Sequence, residues 1–129
     1  MSLHFYLYRA PAHACPMVQW TEMQAQPLGT ACEVRDKLAA LYPQIRWTQR
    51  DDGTWAGLGT HAAPYLDVIL REDEPGTCFF VVMNKPAPST LRRVLQALEM
   101  NRVCVPETGD EVDPYAYEDH DRHYARRVL

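Results

Sequence analysis

The chain has 129 residues, 47% of them apolar and 23% charged, with a formal net charge of −4. That length supports one hydrophobic core rather than two, and the composition excludes wholesale disorder. The negative balance argues against a nucleic-acid partner, and no apolar run approaches the ~20 residues of a membrane-spanning helix.

The N-terminus lacks the positive n-region of a secretory signal. Leu3, Phe5 and Leu7 alternate there with His4, Tyr6 and Tyr8, which is the period of a strand. Residues 10–29 carry Pro11, Pro16, Pro27 and Gly29 and read mainly as loop, with Met17, Val18 and Trp20 as a short strand or one helical turn. Thr30 and Glu33 form a T-x-x-E capping box, and Val34, Leu38 and Leu41 follow at helical spacing until Pro43. Two strand-like runs flank Asp51-Asp52-Gly53, which predicts a hairpin with a type I′ turn. Residues 57–64 read as loop, residues 65–71 as strand, and residues 72–76 as a charged turn. Residues 78–83 are apolar at every position, as expected of a central strand buried on both faces.

Pro88 or Ser89 opens a second helix, whose stripe is Leu91, Val94, Leu95 and Leu98. Asn101 is the expected left-handed cap, and residues 102–105 return as a strand. Residues 107–121 then hold seven acidic side chains and no Lys or Arg. Asp113-Pro114 reads as an N-cap followed by proline at the first helical position, which makes residues 114–128 a third helix or else a solvated tail.

This order predicts an α+β fold: a two-layer sandwich of a mostly antiparallel sheet with two main helices on one face. A ferredoxin-like split βαβ is the nearest named topology. Residues 1–106 form the expected core. Residues 107–129 form an acidic C-terminal segment, either part of the same domain or a tail.

No run of residues carries a catalytic signature. Cys15, Cys32, Cys78 and Cys104 contain no CxxC pair, so zinc-ribbon and thioredoxin-like motifs are excluded and free thiols are expected. Cys32 lies in the first helical turn, where the dipole favours a thiolate and His4, His13 or His61 would be its base. The competing expectation packs it against the sheet beside Val34. Gly57-Leu58-Gly59-Thr60 lacks the Gly-Lys-Ser/Thr of a phosphate loop. Asp51/Asp52 and Asp73/Glu74 belong to turns, where carboxylates are expected anyway. His120 and His123 stand at i, i+3 beside Asp119 and Asp121 and suit a divalent metal, against a charged solvent-facing helix or tail.

The acidic segment is the feature that composition favours for function. Glu107, Asp110, Glu111, Asp113, Glu118, Asp119 and Asp121 would attract a basic protein, and Tyr115 and Tyr117 would provide buried contacts. A solubilising tail is the alternative.

Residues 3–9 make an aromatic first strand, and residues 33–47 a helix ending in Tyr-Pro before a tryptophan strand. Residues 91–114 make a helix, a short strand and an acidic turn containing Thr108-Gly109-Asp110-Glu111. Together they resemble small bacterial proteins of unassigned function, some of which look like immunity proteins encoded beside polymorphic or secreted toxins. The resemblance implies a non-enzymatic, cytoplasmic binder that masks a toxin, with no cofactor, and it carries over no functional residue. The alternatives are a small metal-binding protein or enzyme using His120 and His123, and a homo-oligomeric module built by edge-strand pairing.

Overall fold

The computed structural model describes residues 4–16, 19–59, 66–70, 76–84 and 86–114. Along the chain it contains β1 (His4–Tyr8), β2 (Gly29–Thr30), α1 (Ala31–Leu41), β3 (Arg46–Gln49) and β4 (Trp55–Leu58). It continues with β5 (Leu66–Leu70), β6 (Thr77–Asn84), α2 (Pro88–Ala97), β7 (Arg102–Val105) and β8 (Asp110–Val112). One sheet runs in the order β3-β4-β5-β6-β1-β7-β8, with β2 paired to the start of β6. Every pairing in it is antiparallel.

The inner order β5-β6-β1-β7 explains the helices. β6 lies between β1 and β5, and β1 lies between β6 and β7. The connection through α2 from β6 to β7 crosses over β1 alone, a split βαβ unit, whereas α1 leads from β2 to β3 at the edge, across β6, β5 and β4. The core is therefore the expected α+β sandwich; its inner strand order β5-β6-β1-β7 is that of a ferredoxin-like sheet, but the β3–β4 hairpin stands between α1 and β5 in the chain. The β3–β4 hairpin extends one edge and β8 the other.

The expected local signals explain α1. Thr30 takes extended backbone angles, φ −71° and ψ 159°, and its hydroxyl accepts the Glu33 N–H at 3.1 Å. The helix buries Ala31, Val34 and Leu38. α2 starts at Pro88, one residue before Ser89, with Ala87 at the N-cap. Its end differs from the expectation. Glu99, not Asn101, takes the left-handed conformation, at φ 53°. Met100 N–H then bonds Leu95 C=O at 2.8 Å and Glu99 N–H bonds Gln96 C=O at 3.3 Å, which is a Schellman motif. Asn101 instead clamps Ala10: its Oδ1 accepts the Ala10 N–H at 2.6 Å and its Nδ2 donates to the Ala10 C=O at 3.0 Å.

The hairpin forms where expected, but with a different turn. Gly53 has φ 90° while Asp52 does not enter the positive region. Gly53 N–H bonds Arg50 C=O at 2.9 Å and Arg50 N–H bonds Thr54 C=O at 2.8 Å. That is a type I turn closed by a left-handed glycine, not type I′. Asp52 reinforces it by accepting the Thr54 N–H at 2.9 Å and the Thr54 hydroxyl at 2.7 Å. Those bonds, the backbone one foremost, hold the Asp52 carboxyl below its ordinary value.

β6 is buried from Cys78 to Met83, as its unbroken apolar run predicts. Its pairing with β5 skips one residue: Ile69 faces Phe80 and Leu70 faces Cys78, so Phe79 is a bulge. The bulge resets the alternation. Cys78, Val81 and Met83 join the core under the helices with Phe5, Leu7 and Val103. Phe79 and Phe80 both turn to the opposite face, beside Tyr8, Val82 and Cys104.

Residues 10–16 and 19–28 cover part of that second face. Trp20 meets Tyr8 edge-on at 5.5 Å between ring centroids, and Ala25 is buried in the same cluster. Arg9 ties the segment down by donating to Pro27 C=O at 2.9 Å and Leu98 C=O at 2.6 Å. One 3-10 turn, Glu22–Gln24, is the regular structure described in it, while Met17 and Val18 lie outside the described residues.

Candidate interaction surface

The acidic run begins at the tight β7–β8 connection. β7 is buried at all four positions, and β8 pairs with it so that Val103 faces Val112, Cys104 faces Glu111 and Val105 faces Asp110. Sequence reading placed an acidic turn over residues 108–111. Instead, Thr108 and Gly109 donate to Val105 C=O within the turn, and Asp110 already opens a strand. The pleat then divides the carboxylates between faces. Asp110 and Val112 lie on the helix side of the sheet. Glu111 lies on the other side, with Arg102.

Two of the predicted contact residues are held by neighbouring side chains. Glu111 Oε2 accepts Arg102 Nε–H at 2.7 Å. Arg102 is itself buried, donates through Nη1 to Cys15 C=O at 2.8 Å, and lies 4.8 Å from the Trp20 ring centroid. It thereby joins the outer strand, β7 and the covering segment of residues 10–28. Glu107 Oε1 lies 2.9 Å from His4 Nδ1 and accepts the His4 backbone N–H at 3.1 Å. A bond from its own backbone N–H, then the bond with the His4 ring, holds the Glu107 carboxyl below the usual carboxylate range.

Glu107, Asp110, Glu111 and Asp113 are all exposed and follow one another along the outer edge of the sheet. Beside them a groove of about 550 Å³ separates β8 from the end of α2. Leu95, Met100 and Val112 give it apolar walls, and Arg92, Glu99 and Asp113 are among its charged lining. Arg92 Nη1 closes one end by donating to Pro114 C=O at 3.3 Å. Tyr115, Tyr117, Glu118, Asp119, Asp121 and the expected third helix lie outside the described residues.

The other candidates gain no comparable geometry. His120 and His123 also lie outside the described residues, and among the described ones no three His, Cys, Asp or Glu side chains gather as a metal site. All four cysteines are free thiols. Cys32 is exposed on α1, which corrects the expectation that it packs beside Val34. His4 is engaged with Glu107, and His13 sits in an exposed left-handed turn at φ 63°. Cys78 and Cys104 are buried, and burial pushes the Cys104 thiol up to about 11. A second groove of about 410 Å³ lies between His4, Thr48, Arg50, Leu58, Val82 and Asn84. Sequence reading missed it because its residues come from five strands spread along the chain.

Among the described residues no helix is long and apolar enough to cross a membrane. No protein-family model, curated protein or solved structure matches this chain.

Proposed function

We propose that this chain is a non-enzymatic binding protein whose acidic sheet edge receives a basic protein partner. The narrower form of the proposal is a cytoplasmic, immunity-type inhibitor that masks a toxin or effector. The observation that carries it is the line of Glu107, Asp110, Glu111 and Asp113 along the outer strand beside an apolar-walled groove. Negative charge there speeds encounter with a basic surface, while the groove offers area to desolvate at the contact. Two of the carboxylates are fixed by His4 and Arg102, so ordering them at an interface costs little side-chain entropy.

Co-expression with the product of the adjacent gene tests this. The expected result is co-purification, association that weakens with salt, and a slower on-rate for Asp110→Lys. Absence of both co-purification and rescue from toxicity counts against the inhibitor reading.

A further inference from the structure

We propose that β8 binds its partner by strand addition: a basic, extended segment pairs along the outer side of β8 and seats one apolar side chain in the adjoining groove. The inference rests on the acidic-edge reading above and specifies how that edge is used. β8 ends the strand order, and among the described residues no strand pairs with its outer side. An edge strand presents backbone donors and acceptors along that side. An added strand would continue the alternation set by β7 and β8. Its side chains on the helix side would fall over the walls made by Leu95, Met100 and Val112. Those on the opposite side would lie next to Glu111.

Charge selects the occupant. Pairing β8 with β8 of a second copy sets Asp110 and Glu111 against the same carboxylates, and like charges facing each other across strands destabilise a sheet. Pairing β3 with β3 brings Arg46 and the adjoining Arg50 against their equivalents. Pairing β3 of one copy with β8 of another is charge-matched but head-to-tail, and it builds open chains rather than closed dimers. A basic segment from a different protein satisfies the edge without those consequences.

The test uses the full chain and a labelled probe peptide of alternating lysine and valine, seven residues long with blocked ends. Two analogues carry backbone N-methyl groups on either the lysines or the valines, leaving charge and side chains intact. Fluorescence anisotropy at low salt should show the parent binding. One analogue should bind at least tenfold more weakly and the other like the parent, because only alternate amides of an added strand face β8. Amide exchange should slow with the parent at the β8 amides that point away from β7. A tenfold loss in neither analogue, or in both, overturns strand addition while leaving an acidic docking edge in place. No binding by any of the three overturns the acidic-edge reading as well. Light scattering that shows the chain growing into open assemblies assigns the edge to a second copy and also overturns the proposal.

Discussion

The pair between Arg102 and Glu111 yields an asymmetric prediction: removing the exposed partner should cost more than removing the buried one. The Glu111 side chain keeps 45% of its surface in water and Arg102 only 9%. Breaking a fully buried pair costs about 3–5 kcal/mol, and breaking an exposed one about 0–1 kcal/mol. Glu111→Ala leaves a buried guanidinium without its anion, although Cys15 C=O and the Trp20 ring still face it. An intermediate cost of about 2 kcal/mol follows. Arg102→Met strands no buried charge, because the Glu111 carboxylate returns to water and methionine fills the space of the arginine stem. Its cost is the bond to Cys15 and the contact with Trp20, offset by apolar burial, and comes to about 1 kcal/mol. Urea unfolding measures both. With a slope of about 1–3 kcal/mol per molar, the two midpoints should separate by several tenths of a molar. The double variant should cost no more than Glu111→Ala alone. If Arg102→Met is the more damaging substitution, the asymmetry of burial is not what governs this pair.

Three further outcomes follow from single positions. Glu99→Gly should raise stability by about 0.5–1 kcal/mol in the same assay, because glycine takes the φ of 53° at the end of α2 without the Cβ clash. A loss would show that the Glu99 side chain contributes more than its backbone costs. Tyr42→Phe should be neutral or stabilising by up to about 1 kcal/mol, because the buried Tyr42 hydroxyl has no hydrogen-bond partner among the described residues. A clear loss would reveal a bridging water. Glu107 has a folded pKa below its ordinary 4.5, so its contribution to stability is complete above that value and is lost as pH falls through the lowered one. Glu107→Gln should therefore flatten the acid limb of the stability profile below about pH 4.5, and an unchanged limb would sink the assignment.

What was legible in the sequence was local. The Thr30 cap, the proline at the first position of α2 and the apolar run of β6 each depend on residues within a few positions, and each is found in the fold. The Asp-Gly hairpin was legible as a hairpin. Its turn type was not, because Asp52 uses its side chain to bond Thr54 rather than taking the left-handed backbone that type I′ requires. The end of α2 was misplaced by two residues because a left-handed glutamate defies propensity and is held there by the contacts of Met100 and Leu95. β8 was missed since Asp-Glu-Val has no strand periodicity of its own. It becomes a strand by pairing with β7. The site itself was half legible. Composition marks the acids, but Arg102 reaches Cys15 across 87 positions, and no local pattern encodes that contact.

That long-range contact bears on how the acidic edge would work. A lone acidic tail attracts a basic partner but must be ordered on binding, which offsets the affinity gained. Here Glu111 is fixed by Arg102, Arg102 is fixed by the Cys15 carbonyl and Trp20, and Trp20 packs on Tyr8 in the middle of the sheet. The edge carboxylate is thus tied to the second core by a chain of contacts rather than by β8 alone. Loosening residues 10–28 should therefore weaken partner binding even though that segment lies on the opposite face from the groove. Trp20→Ala tests this by comparing partner affinity with the Asp110→Lys variant. The tryptophan variant should raise the off-rate and leave the salt dependence intact, whereas the charge variant should slow the on-rate and reduce that dependence. Equal effects on the on-rate would mean that Trp20 contributes nothing to holding the edge in place.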